Sequence, residues 1–235
     1  MGLISFVKSA GRKIGLFGGR EAAEAEAAVA EAKAAADAAA ADAAEAAQDH
    51  AVAMDIRAAI LSYVPVEELQ VTFSGETAVI SGTTSSQEDA EKAILVAGNT
   101  EGVGNVEDNL EVVEPKPPAV YHTVVEGDTL SGLSGRYYGV IRLYDVIFSA
   151  NQPMLGHPDE IYPGQVLRIP PVATPTHTVC SGETLGTIAK HWYGEASRYQ
   201  DIFAANTGVL SNPDSVEVGQ VLTIPLIDPK VELLS

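Results

Sequence analysis

The sequence predicts an α+β protein, in which one mixed domain is followed by two copies of a smaller β-α-α-β unit. Residues 121–170 align with residues 176–225 without a gap, with 22 identities in 50 positions. Residues 49–114 change between helical and strand periodicity in the order α-β-β-α-β. Residues 1–48 carry only helical patterns, so we expect a short N-terminal helix and a long Ala-rich helix before the first domain.

The N-terminal segment, residues 1–20, is amphipathic and basic. It has four basic residues and no acidic one, and its apolar residues fall near helical spacing in LISFVKSAGRKIGLF. Two glycines in this stretch weaken a helix by about 1 kcal/mol each. Two interpretations stay open: a short helix on a membrane surface, or a helix that docks on the protein's own body. The glycines favour docking, because a broken helix is a poor anchor.

Residues 21–48 are of low complexity, with 18 alanines and seven acidic residues among 28 positions. Alanine and glutamate are strong helix formers. Val29 is the only larger apolar residue, so the helix has no apolar stripe to bury. We predict a solvent-exposed helical spacer.

The domain at residues 49–114 combines two helices with three strands. An apolar helical face in VAMDIRAAILSYV ends at Pro65, and the alternation in ELQVTFSGETAVISG predicts a β-hairpin. A capping box of Ser85 and Glu88 opens the second helix, Gly98 ends it, and VGNVEDNLEVV predicts the third strand. These elements form one α+β layer.

The two repeats, residues 120–170 and 176–226, share one pattern. Each has a β-branched strand (HTV), a turn with a cap residue (GDTL, GETL), two short helices and a closing strand (PGQVLRIP, VGQVLTIP). His122 and His177 fall on equivalent strand positions, which we expect to be exposed. The proline-rich stretches 114–119 and 170–175 predict stiff linkers around the first repeat.

Composition excludes several classes of function. The net charge of -18 disfavours nucleic-acid binding, and no apolar run is long enough for a transmembrane helix. The single cysteine, Cys180, matches Val125 of the first repeat, which indicates a buried strand position. We find no secretion signal, so we expect the cytoplasm. No catalytic motif is present, so we expect no enzyme and no organic cofactor.

Both repeats resemble the LysM module, on HTVVEGDTLSGLSGRYYG with YPGQVLRIP and on HTVCSGETLGTIAKHWYG with VGQVLTIP. The resemblance implies binding to N-acetylglucosamine polymers such as peptidoglycan, in a groove between the first-strand turn and the loop before the second strand. The implied glycan-binding residues are Gly127, Asp128, Thr129, Leu130, Asn151, Pro153, Met154, Gly182, Glu183, Thr184, Leu185, Asn206, Gly208 and Val209. The alternative is that these turn residues only cap helices.

Residues 49–114 are similar to the BON domain, most clearly in SQEDAEKAILVAGNTEGVGNVEDNL. Together with MGLISFVKSAGRKIGLFG and the first LysM, they resemble the bacterial potassium-binding protein family. The Ala-rich spacer and the second LysM fall outside that resemblance. It implies a cytoplasmic K⁺-binding or sensing protein linked to ionic or osmotic stress, which holds the ion on backbone carbonyls.

The backbone carbonyls to which this resemblance points are those of Val7, Ala10, Thr100, Gly102 and Val103. The alternative is that the glycines there only shape loops. Two other functions stay open for the whole chain. One is a peptidoglycan-binding protein that acts through both LysM modules, and the other is a structural protein of a phage-tail-like assembly.

Overall fold

The structure, a computed structural model, describes residues 19–231 and 233–234, with side chains from residue 28 onward. The described chain divides into two units between Gln48 and Asp49. The helices are α1 (Gly19–Tyr63), α2 (Gln87–Gly98), α3 (Leu130–Tyr138), α4 (Tyr144–Ala150), α5 (Leu185–Tyr193) and α6 (Tyr199–Ala205). The strands are β1 (Glu67–Ser74), β2 (Thr77–Ser86), β3 (Asn105–Glu114), β4 (Val120–Thr123), β5 (Val166–Ile169), β6 (Thr176–Thr178) and β7 (Val221–Thr223).

Helix α1 changes character along its 45 residues. Residues 28–48 are exposed throughout, and Val29 is 70% exposed, as expected for a helix without an apolar stripe. From Ala53 onward one face is buried, and Ile56 and Ile60 are fully buried in the central domain, residues 49–114. The exposed Ala-rich part therefore continues without a break into a helix that packs.

The central domain has the predicted order α-β-β-α-β. Its sheet has the strand order β1-β2-β3, with β1 antiparallel and β3 parallel to β2, and α2 makes the crossover that a parallel pair requires. In the hairpin Val71 pairs with Ile80 and Phe73 with Ala78, so the apolar side chains of both strands share one face. This face packs on the apolar faces of the two helices.

The capping box predicted at Ser85 and Glu88 is one residue too early. Ser86 is the N-cap of α2, and its hydroxyl accepts a hydrogen bond from the backbone N–H of Asp89 at 3.2 Å. Ser86 Oγ also donates to Asp89 Oδ2 at 2.7 Å. Two consecutive serines, each three residues before an acidic residue, made the two registers indistinguishable in the sequence.

Each repeat is a β-α-α-β unit, which confirms the predicted fold class. The strands form the antiparallel pairs β4–β5 and β6–β7, and a short 3₁₀ turn precedes each second helix. Thr129 and Thr184 cap the first helices, and Gly139 and Gly194 end them in left-handed conformations. Helix α3 runs unbroken through Gly132 and Gly135.

The two repeats share one hydrophobic core. It includes Tyr138, Ile147 and Leu167 of the first repeat together with Ile188 and Leu222 of the second. The chain after β7 returns to the first repeat, where the Ile227 N–H donates to the Tyr138 carbonyl at 3.2 Å and the Lys230 N–H donates to the Tyr137 carbonyl at 2.8 Å. The stretch 170–175 therefore joins packed neighbours and does not hold the repeats apart.

Two predictions about repeat positions are wrong. Cys180 is exposed and lies beyond the end of β6, because the buried residues of this stretch are Val124 and Val179, one position earlier. His122 and His177 are largely buried, with side-chain exposures of 12% and 14%. None of the described helices is long and apolar enough to cross a membrane.

Candidate functional sites

Three of the predicted potassium ligands lie in the α2–β3 loop, residues 99–104. The Val103 N–H donates to the Thr100 carbonyl at 3.1 Å, which closes a turn, and Gly102 sits in it at φ +87°. A side chain is strained at this φ, and glycine is not. Glycine at position 102 therefore allows the backbone turn on which the carbonyls of this loop lie.

The carbonyl oxygens of this loop are available to a ligand. No described residue donates a hydrogen bond to the carbonyl of Gly102 or Val103, and that of Thr100 keeps a second lone pair. The loop borders an open cleft of about 720 Å³, whose walls include Tyr63, Val103, Met154 and Tyr162. The other two predicted ligands, Val7 and Ala10, lie outside the described residues. In the part of the chain with side chains, no three His, Cys, Asp or Glu residues cluster as a metal site.

The first repeat has a cleft of about 350 Å³ where its resemblance implies a glycan groove. One wall is the start of α3, with Thr129, Leu130 and Ser131, and the other is the loop before β5. This lining also includes five residues that the resemblance did not imply, namely Ser131, Tyr144, His157, Pro158 and Asp159. The repeat alignment contained a signal for three of them, because Tyr144, Pro158 and Asp159 have identical partners in Tyr199, Pro213 and Asp214.

Several of the implied glycan-binding side chains face inward. Asn151 is fully buried, and its amide bonds the Ile147 carbonyl at 2.7 Å and both backbone groups of Arg168 at 2.8 Å. Asn206 makes the same three bonds in the second repeat, to Ile202 and Thr223. Both amides join the second helix to the closing strand, so their side chains are not free to bind a sugar.

The remaining implied positions are divided between surface and core. Gly127, Thr129, Gly182, Thr184, Gly208 and Val209 are exposed, Pro153 is exposed but outside the cleft lining, and Leu130 and Leu185 are buried. Met154 packs against the core of the central domain. The exposed residues of this set are therefore the ones that a glycan can reach, and their role stays a prediction.

Asp128 and Glu183 have structural partners. Asp128 Oδ2 accepts from the Val125 N–H at 3.0 Å and lies 2.7 Å from His122 Nε2. Glu183 Oε2 accepts from the Cys180 N–H at 2.7 Å and lies 2.8 Å from His177 Nε2. These backbone hydrogen bonds, and then the histidines, lower the pKa of both carboxyl groups.

The histidine tautomer follows from the aromatic neighbour. The indole N–H of Trp192 lies 3.3 Å from His177 Nδ1, and an indole nitrogen can only donate. Nδ1 of the neutral ring is therefore the acceptor, and Nε2 carries the proton that it donates to Glu183. Tyr137 stands in the same place beside His122 Nδ1 at 3.1 Å.

The central domain and the first repeat meet through a buried ion pair. Arg168 Nε of β5 lies 2.7 Å from Glu91 Oε2 of α2, and the two side chains are 8% and 3% exposed. The Ala119 N–H donates to Glu91 Oε1 at 2.7 Å. Beyond the end of α2, the Asn99 side chain donates to the Val166 carbonyl at 3.0 Å and accepts from the Val166 N–H at 2.9 Å. Helix α2 is thus fixed to β5 at two places, at Glu91 in its second turn and at Asn99 just after its last residue.

Comparison with known proteins agrees with this architecture. The family model of the BON domain matches residues 48–114, and that of the LysM domain matches residues 122–170 and 177–225. The potassium binding protein Kbp of Escherichia coli O6:H1 (strain CFT073) is 42% identical over 104 residues, which cover 44% of this chain and 70% of Kbp.

Two further relatives are matched over smaller shares of their own length. The esterase Rv1288 of Mycobacterium tuberculosis (strain H37Rv) is 40% identical over 108 residues, which cover 46% of this chain and 22% of the esterase. The secreted LysM effector ECP6 of Passalora fulva is 30% identical over 130 residues, which cover 46% of this chain and 53% of the effector. The chain belongs to the potassium-binding protein family in which a BON domain is followed by LysM, and here an alanine-rich helix and a second LysM are added.

Proposed function

We propose that this protein binds K⁺ at the α2–β3 loop, and that it acts in the cytoplasm as a sensor of ionic or osmotic conditions. The observation that carries the proposal is the set of available carbonyls at Thr100, Gly102 and Val103, in a chain related to a potassium binding protein. Potassium is large and is commonly bound by neutral carbonyl oxygens. The acidic body of the chain adds a favourable field for any cation.

Potassium binding predicts a stability difference between salts. At a K⁺ concentration about 100 times the Kd, binding adds roughly 2.7 kcal/mol to the free energy of unfolding. We therefore expect a higher Tm in KCl than in NaCl at equal ionic strength. Equal melting temperatures in both salts would exclude the K⁺ site.

A pair of glycine variants separates the ion site from general strain. Gly102 and Gly75 both have positive φ, at +87° and +62°, and open space where a Cβ would lie. Gly102→Ala and Gly75→Ala should each cost about 1 kcal/mol in NaCl. Only Gly102→Ala should also reduce the stabilisation by KCl, because it reorients the carbonyls of the α2–β3 loop. An equal KCl effect in both variants would place the ion elsewhere.

A second candidate function is binding of peptidoglycan or another N-acetylglucosamine polymer by the repeats. The cleft of the first repeat favours it, because Thr129, Tyr144 and Asp159 offer hydroxyl, aromatic and carboxylate groups to a sugar. We expect the chain to be retained on purified peptidoglycan. A double variant, Ser131→Trp with Gly186→Trp, should abolish this retention, because the indole rings fill the equivalent helix-start positions of both repeats. Ala204→Trp, at an exposed position of α6, is the control and should be retained like wild type. Equal retention of the double variant and of Ala204→Trp would contradict glycan binding at the two helix starts.

A further inference from the structure

A cleft of about 450 Å³ opens beside the first turn of α2, between the central domain and the first repeat. Its polar lining includes Glu88 of α2, Lys116 of the segment after β3, Asp145 and Ser149 of α4, and Arg168 of β5. Neither the potassium proposal nor the glycan proposal uses this cleft. Its volume lies in the range of small-molecule sites in proteins.

Arg168 is the group that gives the cleft its chemistry. The residue is only 6% exposed, and its one hydrogen bond to a described side chain uses Nε, toward Glu91. The two Nη groups donate to no described residue, yet no buried side-chain nitrogen in the described chain lacks a partner. The Nη groups therefore keep access to the cleft. Two parallel N–H donors on a buried guanidinium match the two oxygens of a carboxylate.

The other charges of the cleft select among carboxylate ligands. Arg168 is already paired with Glu91 and Glu88 with Lys92, and the remaining lining charges, Lys116 and Asp145, are opposite in sign, so the cleft has no net charge to attract a simple anion. Glu88 is paired with Lys92 at 2.9 Å, whereas Asp145 lies within 4 Å of no cationic group in the described chain. The cleft therefore has a carboxylate-binding group at one place and an unneutralised carboxylate at another.

We propose that this cleft binds a small zwitterion of the amino-acid type, with its carboxylate on Arg168 and its ammonium group toward Asp145. A zwitterion can use the Nη donors of Arg168 and the carboxylate of Asp145 at once, whereas an anion or a cation can use only one of them. The second repeat lacks the site, because Thr223, Gln200 and Ala204 stand where the first repeat has Arg168, Asp145 and Ser149. The two repeats thus differ in chemistry at this place despite their common fold.

Titration of the ¹⁵N-labelled full chain with alanine tests the site. We expect saturable shifts of the Arg168 Nε–Hε signal and of the Gln87 and Glu88 amides at millimolar alanine. Acetate and ethylamine, which each carry one of the two charges, should bind at least roughly tenfold more weakly. No saturable shift with alanine would overturn the proposal, and so would equal binding of acetate and alanine.

A charge variant with a matched control locates the binding. Ser149→Glu places a second carboxylate in the cleft and should weaken alanine binding roughly tenfold by repulsion of the ligand carboxylate. Ala204→Glu makes the same change at the equivalent exposed position of the second repeat and should leave binding unchanged. Both variants should keep the wild-type Tm, since both positions are exposed. Equal binding by Ser149→Glu and wild type, or equal loss in the two variants, would overturn the site.

Discussion

Asn151 and Asn206 show how one buried side chain can hold the second helix of each repeat to its closing strand. Each amide uses both donors and its oxygen on backbone groups that come from two different elements. A buried amide is costly unless every hydrogen bond is made, so these bonds also fix the register of the closing strand. The presence of asparagine at this position in both repeats is therefore explained by folding and does not indicate sugar binding.

The paired carboxylates Asp128 and Glu183 predict how stability depends on pH. Their pKa values lie below the ordinary values of 3.8 and 4.5, because backbone N–H groups and then the histidines stabilise the charged forms. A lowered folded-state pKa adds stability that is complete above the ordinary pKa and is lost as pH falls through the folded-state value. We expect the free energy of unfolding to fall below about pH 4.5.

Urea unfolding of three variants between neutral pH and pH 3 checks this expectation. Asp128→Asn and Glu183→Gln should be less stable than wild type at neutral pH and should each show a weaker decline in acid. Asp159→Asn removes a carboxylate that is 92% exposed and should follow the wild-type curve. A decline in Asp128→Asn as steep as in wild type would show that this pair does not contribute.

At the scale of elements, the two helix-ending glycines offer a matched comparison. Gly139 and Gly194 both have positive φ, at +71° and +82°. A Cβ at Gly139 would lie 2.1 Å from the Ile227 carbonyl oxygen of the returning C-terminal stretch, whereas a Cβ at Gly194 would meet only a side-chain methyl of Ile141 at 3.3 Å. The same residue in the two repeats therefore has different surroundings.

Gly139→Ala should be clearly more destabilising than Gly194→Ala. Both variants pay the left-handed backbone cost of about 1 kcal/mol, and only Gly139→Ala also displaces the backbone around Ile227. Chemical denaturation of the two variants measures the difference directly. Equal losses would mean that the C-terminal stretch does not pack against Tyr138 in solution.

The elements themselves could be predicted from the sequence, because each rests on local patterns. The repeat alignment predicted β4 to β7, and Thr129 and Thr184 marked the helix starts. What the sequence could not give is how the elements pack. Arg168 of β5 and Thr223 of β7 are equivalent positions in otherwise similar strands. No local pattern indicates that Arg168 pairs with Glu91, which lies 77 residues earlier in the chain.

The candidate sites, too, could be predicted from the sequence only in part. The potassium site in the α2–β3 loop was predicted only from the family resemblance, because a site made of backbone carbonyls leaves no side-chain pattern in the sequence. A cleft does lie at the loops where the LysM resemblance implies a glycan groove, but Asn151 and Leu130 are buried, and His157 of its lining was not among the implied residues. Sequence identity between repeats marks core and surface positions alike, and only burial separates them.

At the scale of the whole molecule, residues 49–234 form one packed body. Glu91 joins the central domain to the first repeat, and the shared core joins the first repeat to the second. If the repeats bind glycan as proposed, one polymer bound by both repeats gains avidity without new contacts. A body of this kind should unfold as one cooperative unit.

Trp192 makes that cooperativity measurable, because it is the only tryptophan and lies in the second repeat. Glu91→Gln leaves the Arg168 charge buried without its carboxylate, which should cost about 3–5 kcal/mol. If the central domain and the two repeats unfold together, the free energy of unfolding measured by Trp192 fluorescence in urea must fall by this amount. It must do so although Trp192 and residue 91 lie in different domains. The free energy of unfolding obtained from amide hydrogen exchange at Ile80 in β2 should fall by the same amount.

Glu88→Gln is the matched control for this experiment. It removes a carboxylate from the same helix, but the Glu88 side chain is 55% exposed, and exposed ion pairs contribute about 1 kcal/mol or less. A Trp192 transition that stays in place in Glu91→Gln, while Ile80 exchanges faster, would mean that the second repeat unfolds independently. In that case the shared core would hold the repeats in contact without coupling their stability to the central domain.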